Sequence, residues 1–233
     1  MKKIVFGIFA HPDDEAFGPS GTLYKLARDG VDVHLVLATA GDAGANSGYK
    51  DLRATRLAEW HASGALMGAT SMHHLGYEDG MLSNSLYLEI AEKIINHIQA
   101  TTSRYKEPVE IEFITFEPRG ISGHIDHIAI SYITTYVYLT LCQNSKYKDS
   151  LGTLKYFCIS NAQAPTTNTS WLYMPAGYNS NEIDEVVDIS DVIEQKLAIM
   201  QTHASQKEDM NSIIESQKAS KTLHKEHFIY YKD

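Results

Sequence analysis

Short, continuously apolar segments alternate along this chain with segments of helical character, and this alternation strongly limits the folds open to it. Ile4–Ala10 and Val31–Ala38 are apolar runs typical of strands buried on both faces of a parallel sheet. Pro19–Asp29 lies between them, reads as a helix and is followed by Gly30, a residue suited to a helix C-terminus. The alternation predicts an α/β fold with a parallel, doubly wound sheet and right-handed crossovers.

The rest of the chain continues this pattern. Further strands are predicted at Met72–Leu75, Val109–Phe116, Thr153–Ser160 and Val186–Ile189. Further helices are predicted at Asp51–Met67, Leu86–Gln99, His127–Leu141, Ser190–Thr202 (capped by Ser190) and Asn211–Leu223. No internal repeat, low-complexity run or linker is evident in the sequence, which predicts a single domain over residues 1–233.

A cluster of ionisable residues follows the first predicted strand. The loop reads His11-Pro12-Asp13-Asp14-Glu15, and crowding an imidazole with three carboxylates is costly unless a positive charge lies among them. His11 and Asp14 are three residues apart, so in a turn both side chains can face one point. The sequence therefore predicts a divalent metal there, with Asp13 beside it. The alternative is a solvated turn whose acids cap a helix.

A second cluster, Gly123-His124-Ile125-Asp126-His127, follows the strand that ends near Phe116. Ligands bind beyond the carboxyl ends of parallel strands, so both loops are expected at one edge of the sheet. Two histidines and one aspartate with an open fourth position suit catalytic zinc. Iron, cobalt and manganese also accept nitrogen and oxygen ligands, so the choice of metal stays open.

Together these motifs resemble the PIG-L/LmbE-like family of zinc-dependent N-acetylglucosaminyl de-N-acetylases, which pairs an AHPDDE loop with a later HxDH. Weaker matches cover most of residues 3–206. They are Ala38–Gly44, the Arg56-x-x-Glu59 helix that ends at Met67-Gly68, Leu75–Gly80 and Lys196–Gln206. The resemblance implies a Rossmann-like three-layer sandwich with a mostly parallel sheet. It also implies hydrolysis of an N-acyl, typically N-acetyl, amide on an amino sugar or glycoconjugate.

The resemblance also implies a role for each matching position. His11, Asp14 and His127 match the metal ligands. Asp13 matches the general base, His124 the residue that stabilises the oxyanion and protonates the leaving amine, and Asp126 a carboxylate that orients a histidine. Arg56 and Asp79 match residues that contact the substrate's hydroxyl groups. The implied cofactor is zinc, with iron(II) or another divalent metal as alternatives.

The sequence departs from the family pattern just before HxDH. Residues 117–122 read EPRGIS, and Ser122 stands where some relatives have a tyrosine that polarises the carbonyl. A second oxyanion donor is therefore unassigned. Beyond the motifs, we expect His73 and His74 to be structural and His224 and His227 to lie on the surface. A role for His203 near the site and a substrate-selecting role for the loop 162–181 stay open.

The amino-acid composition limits which partners the protein is expected to bind. The net charge of -9 disfavours binding to nucleic acid, which needs clustered Lys and Arg. No run approaches the roughly 20 apolar residues of a membrane span, and we expect a cytoplasmic protein with a small N-acyl amino-sugar substrate. Both cysteines, Cys142 and Cys158, are expected in the core. Self-association into a homo-oligomer stays open.

Two other functions are weighed against hydrolysis. One is a non-catalytic Rossmann-like module that binds a sugar or nucleotide, but the GxGxxG phosphate loop is missing after the first strand. Asp13 and His124 also argue against mere binding. The other is a phosphoesterase, which usually needs two metals, whereas the sequence offers ligands for one.

Overall fold

The protein is described from a computed structural model in residues 1–43, 48–164 and 175–232. Its described part contains a seven-stranded sheet in the order β3-β2-β1-β4-β5-β7-β6. The strands are β1 (Lys2–Phe9), β2 (Asp32–Thr39), β3 (Ser71–Tyr77), β4 (Val109–Phe116), β5 (Leu151–Cys158), β6 (Glu185–Asp188) and β7 (Lys225–Tyr230).

Helices cover both faces of this sheet. They are α1 (Asp14–Phe17), α2 (Ser20–Arg28), α3 (Leu52–Met67), α4 (Tyr87–Thr102), α5 (Gly120–Gly123, a single irregular turn), α6 (Ile125–Gln143), α7 (Ile193–Gln201) and α8 (Lys207–Ala219). Two short 3₁₀ turns, Ser190–Val192 and Ala204–Gln206, precede α7 and α8. Within the described residues, none of the helices combines the length and apolar character needed to cross a bilayer.

Successive side chains of β1 divide the core into two layers. Ile4, Phe6 and Ile8 pack in one cluster with residues of α4 and α6. Val5 and Phe9 pack on the other side in a cluster with residues of α2, α3, α7 and α8. Because the side chains of a strand alternate between faces, the apolar runs of the central strands build a three-layer sandwich. The predicted fold class is confirmed.

The order of the strands brings the two motif loops together. β1 pairs in parallel with β2 on one side and with β4 on the other, so the strand order reverses at β1. Crossover connections then leave a crevice at the carboxyl ends of β1 and β4, the usual ligand position in doubly wound sheets. The loop that begins at His11 and the loop that ends at His127 both open into this crevice.

The far edge of the sheet was not fully predicted. β7 lies antiparallel between β5 and β6. The prediction that His227 lies on the surface is wrong, because its strand pairs with Cys158 on one side and Val186 on the other, which buries the ring. The segment reads KEHFIY, which is short and shows no alternation between polar and apolar positions, so it is a weak signal for a strand. Cys158 is buried as expected, whereas Cys142 is only partly buried.

Two helix boundaries also differ from the prediction. Ser190 does not cap a helix. It begins a 3₁₀ turn and its N–H donates to Asp188 Oδ1 at 2.8 Å, while α7 starts at Ile193. The last helix begins at Lys207, four residues before the predicted Asn211, because it continues directly from the preceding 3₁₀ turn.

Candidate active site

The loop after β1 is held in a strained, well-bonded turn. Asp13 has φ 105°, a left-handed conformation that aspartate tolerates better than most residues. Its carbonyl oxygen accepts hydrogen bonds from the N–H groups of Ala16 (2.9 Å) and Phe17 (3.0 Å). Asp14 Oδ2 accepts from the N–H groups of Ala10 (3.0 Å) and His11 (2.9 Å). The turn therefore fixes the carboxylate of Asp14 before any ligand binds.

The loop after β4 is shaped by buried Glu117 and by the N-terminus of α6. Glu117 Oε1 accepts from Ile121 N–H at 2.8 Å, which holds the turn that leads to Gly123. His124 then caps α6, with its Nδ1 accepting from Asp126 N–H at 3.2 Å. Asp126 and His127 occupy the first turn of α6, so both side chains point back to the crevice at the end of β1.

Three groups from the two loops converge. His11 Nδ1 lies 3.0 Å from His127 Nε2, and His127 Nε2 lies 3.1 Å from Asp14 Oδ1. His11 Nδ1 lies 3.8 Å from Asp14 Oδ2. Ligand atoms on tetrahedral zinc with bonds of 2.0–2.1 Å stand about 3.3 Å apart. The spacing of these three groups therefore matches a shared cation.

Hydrogen bonds on the far side of each ring show which nitrogens are available. His127 Nδ1 lies 3.1 Å from the carbonyl oxygen of Gly120, which can only accept, so Nδ1 carries the hydrogen. His11 Nε2 faces the carboxylates of Asp79 at 2.9 Å and Asp126 at 3.3 Å and likewise carries its hydrogen. In the neutral rings the two facing nitrogens both present lone pairs. Such an arrangement beside a carboxylate is repulsive unless a positive charge lies between them, so these residues fit a metal ion.

The pKa values of this cluster show that its surroundings favour a positive charge. Burial lowers the pKa of His11, but hydrogen bonds to Asp126 and Asp79 outweigh burial and raise it to about 10. Burial raises the pKa of Asp14, but His127 outweighs it and holds the pKa at about 2. A proton is therefore retained where the metal would bind, which is the competition expected of a metal site.

His124 lies beside the same cluster. It offers a ring nitrogen within 4.8 Å of one on His11 and one on His127, so a second possible ligand set includes His124. Its Nδ1 accepts from a backbone N–H, and burial together with the charges of His127 and His11 lowers its pKa to about 4. The ring is therefore neutral with its hydrogen on Nε2.

Asp13 lies next to the cluster with a different environment. Burial raises the pKa of Asp13 to about 7, although the guanidinium of Arg56 opposes this shift. Asp13 Oδ2 accepts from Arg56 Nη2 at 3.0 Å. A carboxyl group that titrates near neutral pH and lines the cavity is suited to exchange protons with water or substrate.

Arg56 and Asp79 have protein partners in this structure. Arg56 is buried and donates to the carbonyl oxygens of Gly41 and Pro12 as well as to Asp13. Asp79 accepts from Ala43 N–H at 2.8 Å and contacts His11. Both also line the cavity. Arg56 therefore positions the loop that carries Asp13. Asp79, like Asp126, places a carboxylate next to His11 Nε2.

Behind Asp13, a buried group forms around Glu15. The sequence assigns no role to Glu15. Glu15 is fully buried, and its Oε1 lies 2.6 Å from Ser63 Oγ and 3.0 Å from His203 Nε2. Its Oε2 accepts from Asp13 N–H at 3.2 Å. His203 thus contacts Glu15 and does not line the cavity. The signal for Glu15 was its place within the motif, whereas its partners come from α3 and the segment after α7.

A cavity of about 680 Å³ opens over these residues. Its described lining includes the five residues of the two loops that carry the chemistry, as well as Ser122 from the segment that departs from the family pattern. The lining residues are His11, Asp13, Asp14, Phe17, Ala43, Arg56, Asp79, Gly80, Ile121, Ser122, His124, His127, Phe157, Ile159, Gln163, Gln206, Asp209, Met210, Ser212, Ile213, Ser216 and Gln217. Of the loop 162–181, residues 165–174 lie outside the described residues, and Gln163 lines the cavity. Asp126 stands behind His11, outside the lining.

Comparison with known proteins gives consistent matches. The family model described as GlcNAc-PI de-N-acetylase (PIG-L) matches residues 6–138. A diacetylchitobiose deacetylase of Thermococcus kodakarensis is 30% identical over 218 residues, which cover 88% of this chain and 70% of the relative. A 1D-myo-inositol 2-acetamido-2-deoxy-alpha-D-glucopyranoside deacetylase of Mycobacterium sp. is 28% identical over 225 residues, covering 85% of this chain and 72% of the relative.

A solved structure shows the same fold. It is the N,N'-diacetylchitobiose deacetylase from Pyrococcus horikoshii, with a TM-score of 0.67 and 20% identity, covering 98% of this chain and 83% of that one. Together with the family match over residues 6–138, these similarities confirm the resemblance noted in the sequence. The chain belongs to the GlcNAc-PI de-N-acetylase (PIG-L) family.

Proposed function

We propose that the protein is a zinc-dependent amidohydrolase that removes the acyl group, acetyl in the simplest case, from the nitrogen of an amino sugar. The observation that carries the proposal is the convergence of two imidazole nitrogens, His11 Nδ1 and His127 Nε2, on the carboxylate of Asp14 beside Asp13. Family membership supports hydrolytic de-N-acetylation. Relatives named as deacetylases of a 2-acetamido-2-deoxyglucoside and of diacetylchitobiose support an amino-sugar substrate.

His11, Asp14 and His127 would hold the metal, with Asp79 and Asp126 orienting His11 through its Nε2–H. When bound, a divalent cation supplies Lewis-acid chemistry, which polarises the amide carbonyl and makes water more acidic. Nitrogen and oxygen donors without thiolate suit zinc but also accept iron(II). Zinc is the proposed metal because the two-histidine, one-carboxylate set with an open position is typical of hydrolytic zinc sites.

The chain's own residues would move the protons. Asp13, ionised and held by Arg56, takes a proton from the water that attacks the acyl carbon. Neutral His124 donates a hydrogen bond from its Nε2–H to the developing oxyanion and keeps the proton, a contact typically worth about 3–4 kcal/mol. Asp13 then returns its proton to the departing nitrogen as the C–N bond breaks. The products are a carboxylic acid and a free amine, and Asp13 is ionised again.

The test combines metal analysis with a free-amine assay. Purified protein is stripped with a chelator, reloaded with zinc or iron(II), and incubated with a panel of N-acetyl amino sugars. Free amine should appear only with the reloaded protein. His127→Ala should lose bound metal and activity together, because it removes one of three ligands. The His224→Ala variant, changed at an exposed histidine outside the cavity, serves as the matched control.

Two results would reject the proposal. One is equal release of amine by the stripped and reloaded proteins. The other is a His127→Ala variant that keeps a full complement of metal and full activity, since the proposed ligand set would then be wrong.

A further inference from the structure

The cavity has two chemically different ends. Near His11 its wall is polar and includes Asp13, Arg56 and Asp79. Another part of the wall is apolar, and its residues belong to the core cluster that contains Phe116, whose ring packs on His127. The apolar residues are Phe17, Ile121, Phe157, Ile159, Met210 and Ile213, which we call the apolar arm.

The apolar arm begins at the metal cluster itself. Phe17 lies one helical turn after Asp14 on α1, and its ring packs on Phe116 with centroids 5.5 Å apart. The ring of Phe116 in turn lies 4.9 Å from that of His127. Phe157, at the end of β5, packs on the same ring of Phe116 at 6.1 Å. The scissile amide must lie at the metal cluster, so one of its two sides faces the apolar arm and the other faces the polar end.

Helix α8 extends this arm beyond the cluster. Its N-cap Gln206 and the helix residues Asp209, Met210, Ser212, Ile213, Ser216 and Gln217 line the cavity, and their spacings of three and four place them on one broad face. Met210 and Ile213 are the apolar members of this face. The apolar part of this face is one turn long, from Met210 to Ile213, with polar residues on either side. This length exceeds what the methyl of an acetyl group requires, and it suits a medium-length alkyl chain.

The two ends also differ in which part of the substrate they suit. The hydroxyl groups of a sugar need polar partners, and these lie at the end with Asp13 and Asp79. An alkyl chain gains from leaving water, at about 0.8 kcal/mol per methylene, and among the described lining residues the arm offers it a cluster of apolar side chains. We propose that the protein hydrolyses N-acyl amino sugars with acyl chains longer than acetyl, the chain lying in the apolar arm. This inference rests on the proposed function.

The experiment compares chain lengths on one sugar with the zinc-loaded protein. The substrates are N-acetyl-, N-butanoyl- and N-hexanoylglucosamine, together with the hexyl glycoside of N-acetylglucosamine, and kcat/KM is measured by release of free amine. At about fourfold per buried methylene, the value should rise on the order of 10²-fold from acetyl to hexanoyl. The hexyl glycoside should gain little, because its chain is on the sugar side.

The outcomes separate this inference from the proposed function. Release of amine from acetyl but not from longer chains, or kcat/KM that stays flat with chain length, overturns the acyl-chain assignment alone. An equal gain for the hexyl glycoside also overturns it, since the arm would then take the leaving group. No release from any of the substrates counts against the proposed function itself.

Variants in α8 test whether this helix causes the dependence of kcat/KM on acyl-chain length. Ile213→Trp fills the arm and should lower the ratio of hexanoyl to acetyl kcat/KM by about tenfold or more. Ile213→Asn should lower the same ratio by making the arm polar, and it covers the case in which the tryptophan variant does not fold. Asn211→Trp, at an exposed position of the same helix outside the cavity, is the matched control and should keep the ratio. An unchanged ratio in both Ile213 variants, or an equal change in Asn211→Trp, contradicts the proposal.

Discussion

At the scale of single residues, two neighbouring carboxylates are driven to opposite behaviour by their surroundings. Asp14 receives two backbone N–H groups and faces His127, which keeps its pKa at about 2. Asp13 is adjacent in sequence but turned away by a left-handed backbone conformation, and burial raises its pKa to about 7. This separation is the pattern by which one site obtains a metal ligand and a proton acceptor from the same residue type.

Replacing Asp13 by asparagine tests whether Asp13 is the proton acceptor and not a metal ligand. Asp13→Asn keeps the size of the side chain and removes the proton acceptor, so kcat should fall by about 10²–10⁴-fold. Zinc content should stay near that of the native protein, because Asp13 is not among the converging ligands. Metal analysis and kcat on the same sample provide the measurement. A fully active variant would exclude Asp13 as the base.

Asp126 provides a second prediction at this scale. Its carboxylate accepts from the N–H groups of Gly80 (2.8 Å) and Leu82 (3.2 Å) and approaches His11 Nε2, so it aligns a proposed ligand with the loop after β3. Asp126→Asn should weaken zinc binding by about 10–100-fold, measured by competition with a chelator of known affinity. Asp149→Asn, at an exposed position, serves as the control. Equal zinc affinities in the two variants would show that Asp126 does not support the ligand.

At the scale of elements, β2 carries a buried histidine whose partners fix it in the neutral form. Tyr105 OH donates to Asp32 Oδ2 at 2.7 Å and therefore accepts from His34 Nε2 at 3.0 Å. Ser71 Oγ lies 2.7 Å from His34 Nδ1 and donates to it. This chain of hydrogen bonds ties β2 to β3 and to the segment before β4. Burial lowers the pKa of His34 to about 4.

The neutral His34 predicts a loss of stability in acid. Between about pH 6.5 and 4 the unfolded chain binds a proton that the folded chain does not, so the free energy of unfolding falls as the pH falls. The full effect of this group is on the order of 3 kcal/mol. Urea unfolding at pH 7.5 and 5 should show the loss, and His34→Gln should show a smaller difference between the two pH values. A variant with an unchanged pH dependence would assign the loss to other groups.

At the scale of the whole molecule, acidic residues outnumber basic ones in the chain, and the same holds in the cavity. Arg56 is the sole Lys or Arg among the described lining residues, and its Nη1 and Nη2 atoms donate to Gly41, Pro12 and Asp13. Segments 44–47 and 165–174 contain no Lys or Arg in the sequence. Asp13, Asp14, Asp79 and Asp209 line the same space, and their four carboxylates outnumber the positive charges of Arg56 and of the proposed divalent metal together. The cavity therefore suits neutral substrates better than phosphorylated ones.

This charge balance predicts discrimination against anions. N-acetylglucosamine 6-phosphate should have a kcat/KM about tenfold or more below that of N-acetylglucosamine, because a charge near 10 Å from a carboxylate costs about 1–2 kcal/mol in a partly buried site. The gap should narrow at high ionic strength, where screening weakens the repulsion. Equal or faster hydrolysis of the phosphate would contradict this account.

Much of the fold could be predicted because the apolar runs of β1, β2 and β4 are buried on both faces and leave a continuous signal. β7 could not, since its six residues have no alternating pattern and become buried only because β5 and β6 flank them. The contacts of Arg56 show the same limit at the site. The sequence placed Arg56 on a helix, whereas its packing against Pro12 and Asp13 depends on how α3 lies across the loop after β1.

By itself the sequence determined the layered α/β class and the two loops whose residue types suit a metal and proton transfer, because hydrophobic period and ligand chemistry are local properties of the chain. Tertiary structure alone decided which nitrogens face one another, that Asp79 and Asp126 share His11, and that His124 is neutral. It also decided that α8 lines an apolar arm. Each of these depends on residues distant in sequence meeting at the carboxyl ends of β1 and β4, where burial and neighbouring charges set hydrogen bonds and pKa values.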